Sequence, residues 1–510
     1  MKNLFLTRVA ATCLLALLIS CKQDKVKVSA IIRNATVYDG SGRQPSKLDV
    51  AIAADTIYAL GDLSSLSADT IIDATGLVLS PGFIDSHSHH DWNLEKKRDA
   101  LSVVSQGVTT IVVGQDGGSN TPLKEYFQLM TDSPAAVNIA SYTGHNTLRD
   151  IVLKKDFKRT ATQEEIDSMV LLMRADMDAG ALGLSTGLEY DPGIYSSDDE
   201  VLTLSKVLPE YDGRYISHMR SEDRYFWKAL NEIIIIGREA KVPVQVSHFK
   251  LAMTNLWGKA DSALALLDKA RADGVDITAD IYPYTYWSST IRVLFPSRNF
   301  KDLKEAGMIL KEITTPEGII FSNYEPNPEF NAMSLQEVAS QIKLTPPEAL
   351  IELIRRLDNC DAKGHDCDGS IVATSMDEKD VIKLMQWQYT NICSDGASEG
   401  RHPRGFGAFT RILKHYVREE KALTMEQAIY KMTYLSAQNT GILRRGLIKE
   451  GYYADLVLFN PQTVGDESSI QSPQKISTGI EHVWVNGVEV YANQSTSGVY
   501  PGRVIRRGNN

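Results

Sequence analysis

Two histidines two residues apart, His87 and His89, leave the end of an apolar run in Pro81-Gly-Phe-Ile-Asp-Ser-His-Ser-His89. Residues i and i+2 of a β-strand share a face, so both imidazoles can reach one metal ion. A His-x-His pair alone is weak, because packed and hydrogen-bonded histidines produce it as well. Here it has company. His218 ends Arg214-Tyr-Ile-Ser-His218, His248 ends Val242-Pro-Val-Gln-Val-Ser-His248, and Asp395 follows Asn391-Ile-Cys-Ser. Four imidazoles and a carboxylate, each at the C-terminal end of a strand-like run, suit a zinc-type site. Such an ion lowers the pKa of a bound water towards about 7 and polarises a carbonyl. Asp395 is then the candidate general base and acid, taking the water proton and returning it to a leaving amine. No covalent nucleophile is needed. Tyr190 and Tyr282 supply aromatic hydroxyls at two other strand ends. His90, next to the pair, points to the other face and reads as structural; His365, His415 and His482 read as surface or structural residues.

These side chains need strand ends gathered around a common mouth, and the pattern supplies them. Gln163 to Ala179 places Ile166, Val170, Met173 and Met177 at helical spacing, and the strand-like run Ala181 to Thr186 follows. Helical patterns over 223–240, 261–272, 347–357 and 378–387 are each followed by a β-rich run. Repeated βα units imply a parallel sheet with helices outside. Nine strand candidates lie between Val78 and Cys393, one more than a (β/α)8 barrel needs; either 277–282 or 370–375 is accessory. In such barrels the active site lies at the C-terminal strand ends, where all these candidates fall. Residues 290–344 break the rhythm and read as an insertion over the mouth, since structureless loops of that length are uncommon. Both chain ends are β-like, with Asn486-Gly487 as a hairpin turn. The predicted architecture is an α/β fold: a (β/α)8 barrel over 80–445 and a small β-sandwich from 22–79 and 446–510.

The chain has 510 residues, 43% apolar and 23% charged, with a net charge of −10. Without a dense Lys/Arg run, nucleic acid is not an expected partner. Met1-Lys2 and Arg8 precede the apolar run Val9 to Ile19, too short to span a bilayer comfortably, which reads as an export signal. It ends in Leu18-Ile-Ser-Cys21, which resembles a bacterial lipoprotein cleavage box. Residues 1–21 are thus expected to be the signal, with Cys21 lipidated and the protein held to a membrane of the bacterial cell envelope. Export permits disulfides. Cys360 and Cys367 share a polar loop and either pair or stay free; Cys393 reads as a small core residue.

Further segments complete a resemblance. Gly107-Val-Thr-Thr-Ile-Val-Val-Gly114, Gly180-Ala-Leu-Gly-Leu-Ser-Thr-Gly-Leu188, His218-Met-Arg-Ser-Glu222, Ser247-His-Phe-Lys250, Asp280-Ile-Tyr-Pro-Tyr284, Ser394-Asp-Gly396, His402-Pro-Arg404 and Gly451-Tyr-Tyr-Ala-Asp455 follow the first motif in order. Together they resemble the amidohydrolase superfamily and, within it, the D-aminoacylase (N-acyl-D-amino-acid deacylase) group. The resemblance implies a TIM-like barrel and a metal-dependent hydrolase acting on N-acyl-D-amino acids. It also implies that Arg404 binds the substrate carboxylate, where a guanidinium fork fits two oxygens, and that Lys250 lies near the substrate. It departs at one place: the family's metal-binding cysteine follows the second strand, and Gly114-Gln-Asp116-Gly-Gly118 has an aspartate there. Asp116 is taken as a ligand of harder character. No lysine ends the fourth strand, where many amidohydrolases carry a bridging one; Glu189 is the carboxylate available. The expectation is one tightly held zinc near Asp116, His218 and His248 and a weaker second position near His87, His89 and Asp395. Arg220 and Glu222 are expected to pair behind His218. Alternatives are a dipeptidase or cyclic-amide hydrolase on the same scaffold, or, from another class, a lipid-anchored binding protein with a decayed centre.

Overall fold

The computed structural model describes residues 25–364 and 367–508; Cys21 with its leader, and His365, lie outside the described residues. No helix among the described residues is long and apolar enough to cross a membrane.

Both chain ends build one sandwich. Val26–Arg33 pairs antiparallel with Asp49–Ala53 and parallel with Leu66–Asp73. The second sheet joins the termini: Val78–Pro81 pairs with Leu456–Phe459, which leads through Ile480–Val485 to Val488–Ala492. The turn at Asn486 and Gly487 has φ of 49° and 78°, the left-handed pair a tight hairpin requires. Ile32, Val50, Ile52, Leu79, Leu456, Leu458 and Trp484 pack together as the core of this unit.

Eight parallel strands form the central unit: β1 Phe83–Asp85, β2 Val108–Val113, β3 Asn138–Ser141 with its continuation Thr143–Gly144, β4 Gly183–Gly187, β5 Arg214–His218, β6 Val244–Val246, β7 Ile277–Ile281 and β8 Thr390–Ile392. Each pairs with the next in order. The ring joins again between its first and last members, where Asp395 N–H donates to His87 O at 2.9 Å and His89 N–H to Gly396 O at 2.9 Å. β2 is buried along its whole length, as expected of a parallel strand covered on both faces. The helix Gln163–Ala179 starts with a Thr162/Glu165 capping box and stops on Gly180 at φ 107°.

Between β7 and β8 lies an inserted unit. Tyr286–Thr290 and Ile319–Tyr324 pair antiparallel with the central strand Gly369–Thr374. Helices Leu303–Glu312, Leu335–Ile342 and Pro346–Asp361 belong to it, and a Cys360–Cys367 disulfide ties the last helix to the strand that follows. The accessory strand candidate is therefore 370–375, and β7 is in the barrel. The unit spans Tyr286 to Thr374, longer than 290–344, because a helix followed by an apolar strand repeats the barrel's own rhythm.

Candidate active site

The site stands where β1, β2, β5, β6 and β8 end. Ligand atoms of His87, Asp116, His248 and Asp395 all lie within 4.8 Å of one another, as do those of His218, Glu222 and His248. His89 Nε2 is 3.3 Å from Asp116 Oδ2 and 3.3 Å from Asp395 Oδ1. His248 Nε2 is 3.2 Å from Asp116 Oδ1 and 2.9 Å from His218 Nδ1. All six expected ligands are thus brought together, and the two compact groups cut across the expected division into two triads. Asp116, His248 and Asp395 have φ of 53°, 32° and 49°. Left-handed corners of this kind concentrate at functional sites, and Asp tolerates them better than most residues.

The donor set fits a zinc-type cation. Both ring nitrogens of His87 are buried without a hydrogen-bond partner, and Nε2 faces Asp116 Oδ1 at 3.3 Å and Asp395 Oδ1 at 3.6 Å. Burial would raise the Asp116 carboxyl, but His87 and His248 hold it well below the usual carboxylate range. Burial is likewise overcome at Asp395, first by Arg404 and then by His248 and His89. Two ionised carboxylates facing imidazole nitrogens are what a divalent cation satisfies.

Other expected residues take varied places. Arg404 donates from Nη1 to Asp395 Oδ2 at 2.5 Å and lies over the Tyr282 ring at 4.8 Å. Lys250 Nζ donates to both Glu222 oxygens at 2.7 and 2.8 Å and lies 2.8 Å from His248 Nδ1. Tyr190 packs on His218 with ring centroids 4.3 Å apart, while the Tyr282 hydroxyl is buried without a partner. The expected Arg220–Glu222 pair does not form. Arg220 bonds Glu232 at 2.8 Å, because Lys250 occupies Glu222. His90 is structural, bonded to Ser88 and to Gly405 O. His145 is buried against Glu200 at 2.8 Å. Cys393 is a free, buried thiol.

Two features carry more than the sequence reading gave them. Glu189 Oε2 is 3.1 Å from His218 Nε2, and burial, then Asp223 and Glu222, push this carboxyl well above its ordinary range. Its position directly after the fourth strand is the signal that could have promoted it. Gly183-Leu-Ser-Thr-Gly187 fits the Gly-x-Ser-x-Gly pattern of serine hydrolases, but Ser185 lies inside β4, buried, and donates to Gly114 O at 2.6 Å. It is no nucleophile elbow.

A cavity of about 940 Å³ opens over the ligands; Tyr190, Lys250 and Arg404 line it near the metal-facing side chains, and Trp287, Thr290, Asn323 and Ser370 line it from the inserted unit. The unit therefore walls the mouth. The arrangement can hold a metal ion beside a small molecule, move a proton at Asp395 and present a guanidinium to an anion.

The amidohydrolase family pattern matches residues 70–304 and 392–491, and the gap covers most of the inserted unit and runs on into β8. The chain is 34% identical to a D-aminoacylase of Alcaligenes xylosoxydans xylosoxydans, over 95% of this chain and 99% of that protein. It is 33% identical to an N-acyl-D-glutamate deacylase of the same organism, over 94% and 97%. The crystal structure of the N-acyl-D-glutamate deacylase of Bordetella bronchiseptica, complexed with zinc and a phosphonate inhibitor, aligns with a TM-score of 0.85 at 32% identity, covering 94% of this chain and 100% of that one. With a parallel barrel, a sandwich made from both termini and a histidine–carboxylate centre at the strand ends, the chain belongs to the amidohydrolase family, within its D-aminoacylase group.

Proposed function

We propose that this protein hydrolyses the amide bond of N-acyl-D-amino acids, releasing a carboxylate and a D-amino acid, with zinc as its metal. One observation carries the reading: His87, Asp116, His248 and Asp395 converge within 4.8 Å in a cavity that also holds Arg404. The likeness to enzymes named as deacylases supports it. His87, His89, Asp116, His218, His248 and Asp395 would hold the metal, with one ion bound tightly and a second position weaker. When bound, the ion supplies Lewis acidity towards the scissile carbonyl and acidifies water. Asp395, kept ionised by Arg404, accepts the water proton and passes it to the departing nitrogen. Arg404 lines the cavity as the bidentate partner for the amino-acid carboxylate. Lys250 is already engaged by Glu222 and comes second for that role.

Cys21 is read as the lipidated first residue of the mature chain, placing the enzyme in the cell envelope. The leader sequence supports this, and the Cys360–Cys367 disulfide suits an oxidising compartment.

The test uses the soluble form, residues 22–510, on N-acetyl-D- and N-acetyl-L-amino acids, D-containing dipeptides and hydantoins, with and without added zinc. The expected result is zinc-dependent release of D-amino acids, slowed roughly 10²–10⁴-fold in Asp395→Asn. Hydrolysis confined to dipeptides, hydantoins or L-isomers would overturn the substrate assignment. A wild-type rate in Asp395→Asn would remove that residue from the chemistry.

A further inference from the structure

We infer that Glu189 and Glu222 are positioning residues. Each fixes one ring nitrogen of a metal-facing histidine, so that His218 Nδ1 and His248 Nε2 turn their lone pairs towards a common point beside Asp116. This deepens the metal-hydrolase reading and rests on it.

An imidazole binds a metal through the nitrogen that carries no proton, and the hydrogen bond at its other nitrogen decides which one that is. At His218, Nε2 lies 3.1 Å from Glu189 Oε2 and 3.7 Å from Glu222 Oε2. Its other nitrogen, Nδ1, lies 2.9 Å from His248 Nε2 and 3.9 Å from Asp116 Oδ1. A Glu189 oxygen that accepts from Nε2–H, as a carboxylate or through the carbonyl oxygen of the neutral acid, keeps the proton there and leaves Nδ1 free. At His248 the order is reversed. Nε2 faces Asp116 Oδ1 at 3.2 Å, and Nδ1 has two neighbours, Glu222 Oε1 at 3.0 Å and Lys250 Nζ at 2.8 Å.

These two neighbours make opposite demands. If Lys250 donates to Nδ1, the proton of a neutral ring sits on Nε2 and ligation from that atom is lost. If Nδ1–H donates to Glu222, Nε2 is free. Glu222 is thus the orienting partner, and Lys250, bonded to both Glu222 oxygens, balances its charge. Carboxylates behind metal-binding histidines do this generally. Here two neighbouring rings present different nitrogens because their carboxylates approach from different strands' ends. Glu189 is itself held: from the inserted unit, Arg298 donates from Nη2 to Glu189 O at 2.7 Å and from Nε to Asp191 Oδ1 at 3.2 Å.

The test reads metal affinity without any substrate, by competition between the protein and a chromogenic zinc chelator. Glu189→Ala should weaken zinc roughly 10–100-fold. Glu189→Gln, whose amide oxygen still accepts from Nε2–H, should lose much less. In a His218→Ala background, Glu189→Ala should add almost nothing, because the carboxylate acts through that ring. The matching cycle is Glu222→Ala with His248→Ala. Unchanged affinity in Glu189→Ala, or an equal loss with and without His218, would overturn the inference. A poorly folded Glu189→Ala leaves Glu189→Leu, close to it in size, to be read in the same cycle. A wild-type protein that takes up no zinc would instead sink the metal reading itself, and failure to cleave N-acyl-D-amino acids would leave the affinity result standing.

Discussion

Arg404 has two partners to serve: the Asp395 oxygen it already bonds and the substrate carboxylate proposed above. Arg404→Lys keeps the charge and loses the fork. Hydrogen bonds to charged groups are worth about 1.5–3 kcal/mol, so kcat/KM for N-acyl-D-amino acids should fall roughly 10–100-fold. The corresponding amides, which lack the carboxylate, should lose less, and the ratio of the two losses is the readout. Equal losses would assign the carboxylate to another residue, Lys250 first. The four metal-facing histidines and Asp395 were legible in the sequence because each closes an apolar run, where alternation fixes the face, and Asp116 was legible only from its place in the family resemblance. The partners of their supporting carboxylates were not. Glu189 and Glu222 sit in turns, outside any period, and only the closed ring of strands brings them behind His218 and His248. The Arg220–Glu222 expectation failed for the same reason: the competitor, Lys250, comes from a different strand end. Asp116 in the cysteine's place has a local rationale, since its φ of 53° suits an aspartate.

At the level of elements, periodicity found the helix Gln163–Ala179 at both ends and the strands that carry the ligands. It miscounted strands because Gly369–Thr374 is as apolar as a barrel strand, and only its antiparallel partners separate it. One helix contact carries its own pH signature. Lys431, on Met425–Met432, is buried and donates to Trp387 O and Thr390 O at the start of β8. Burial lowers its pKa to about 7, against roughly 10.4 in an unfolded chain. Between these values the unfolded state binds more protons, so this residue's contribution to stability rises with pH. The stability of the wild type relative to Lys431→Met should therefore improve from pH 7 to about 9.5, by at most roughly 1.4 kcal/mol per unit. Denaturant midpoints of both proteins across that range provide the check; a constant difference would mean the amine stays charged in the fold.

At the scale of the whole molecule, the described chain begins in the sandwich, while the cavity opens at the C-terminal ends of the barrel strands. Cys21→Ser should move the protein from the membrane fraction to the soluble one, or leave it uncleaved, with folding and zinc uptake unaffected. A mature N-terminus elsewhere, without acyl chains in its mass spectrum, would refute the anchor. The barrel's closure has a further consequence, one of timing. The ring is joined through the metal-facing residues themselves, Asp395 N–H to His87 O and His89 N–H to Gly396 O, and beside them Ser394 N–H bonds Asp85, 309 positions earlier. No partial chain emerging from a ribosome or crossing a membrane contains both sides of that seam until residue 396 of 510 has passed. The group that needs both His87 and Asp395 is therefore completed only once the last barrel strand has joined the first, in whichever compartment that strand arrives.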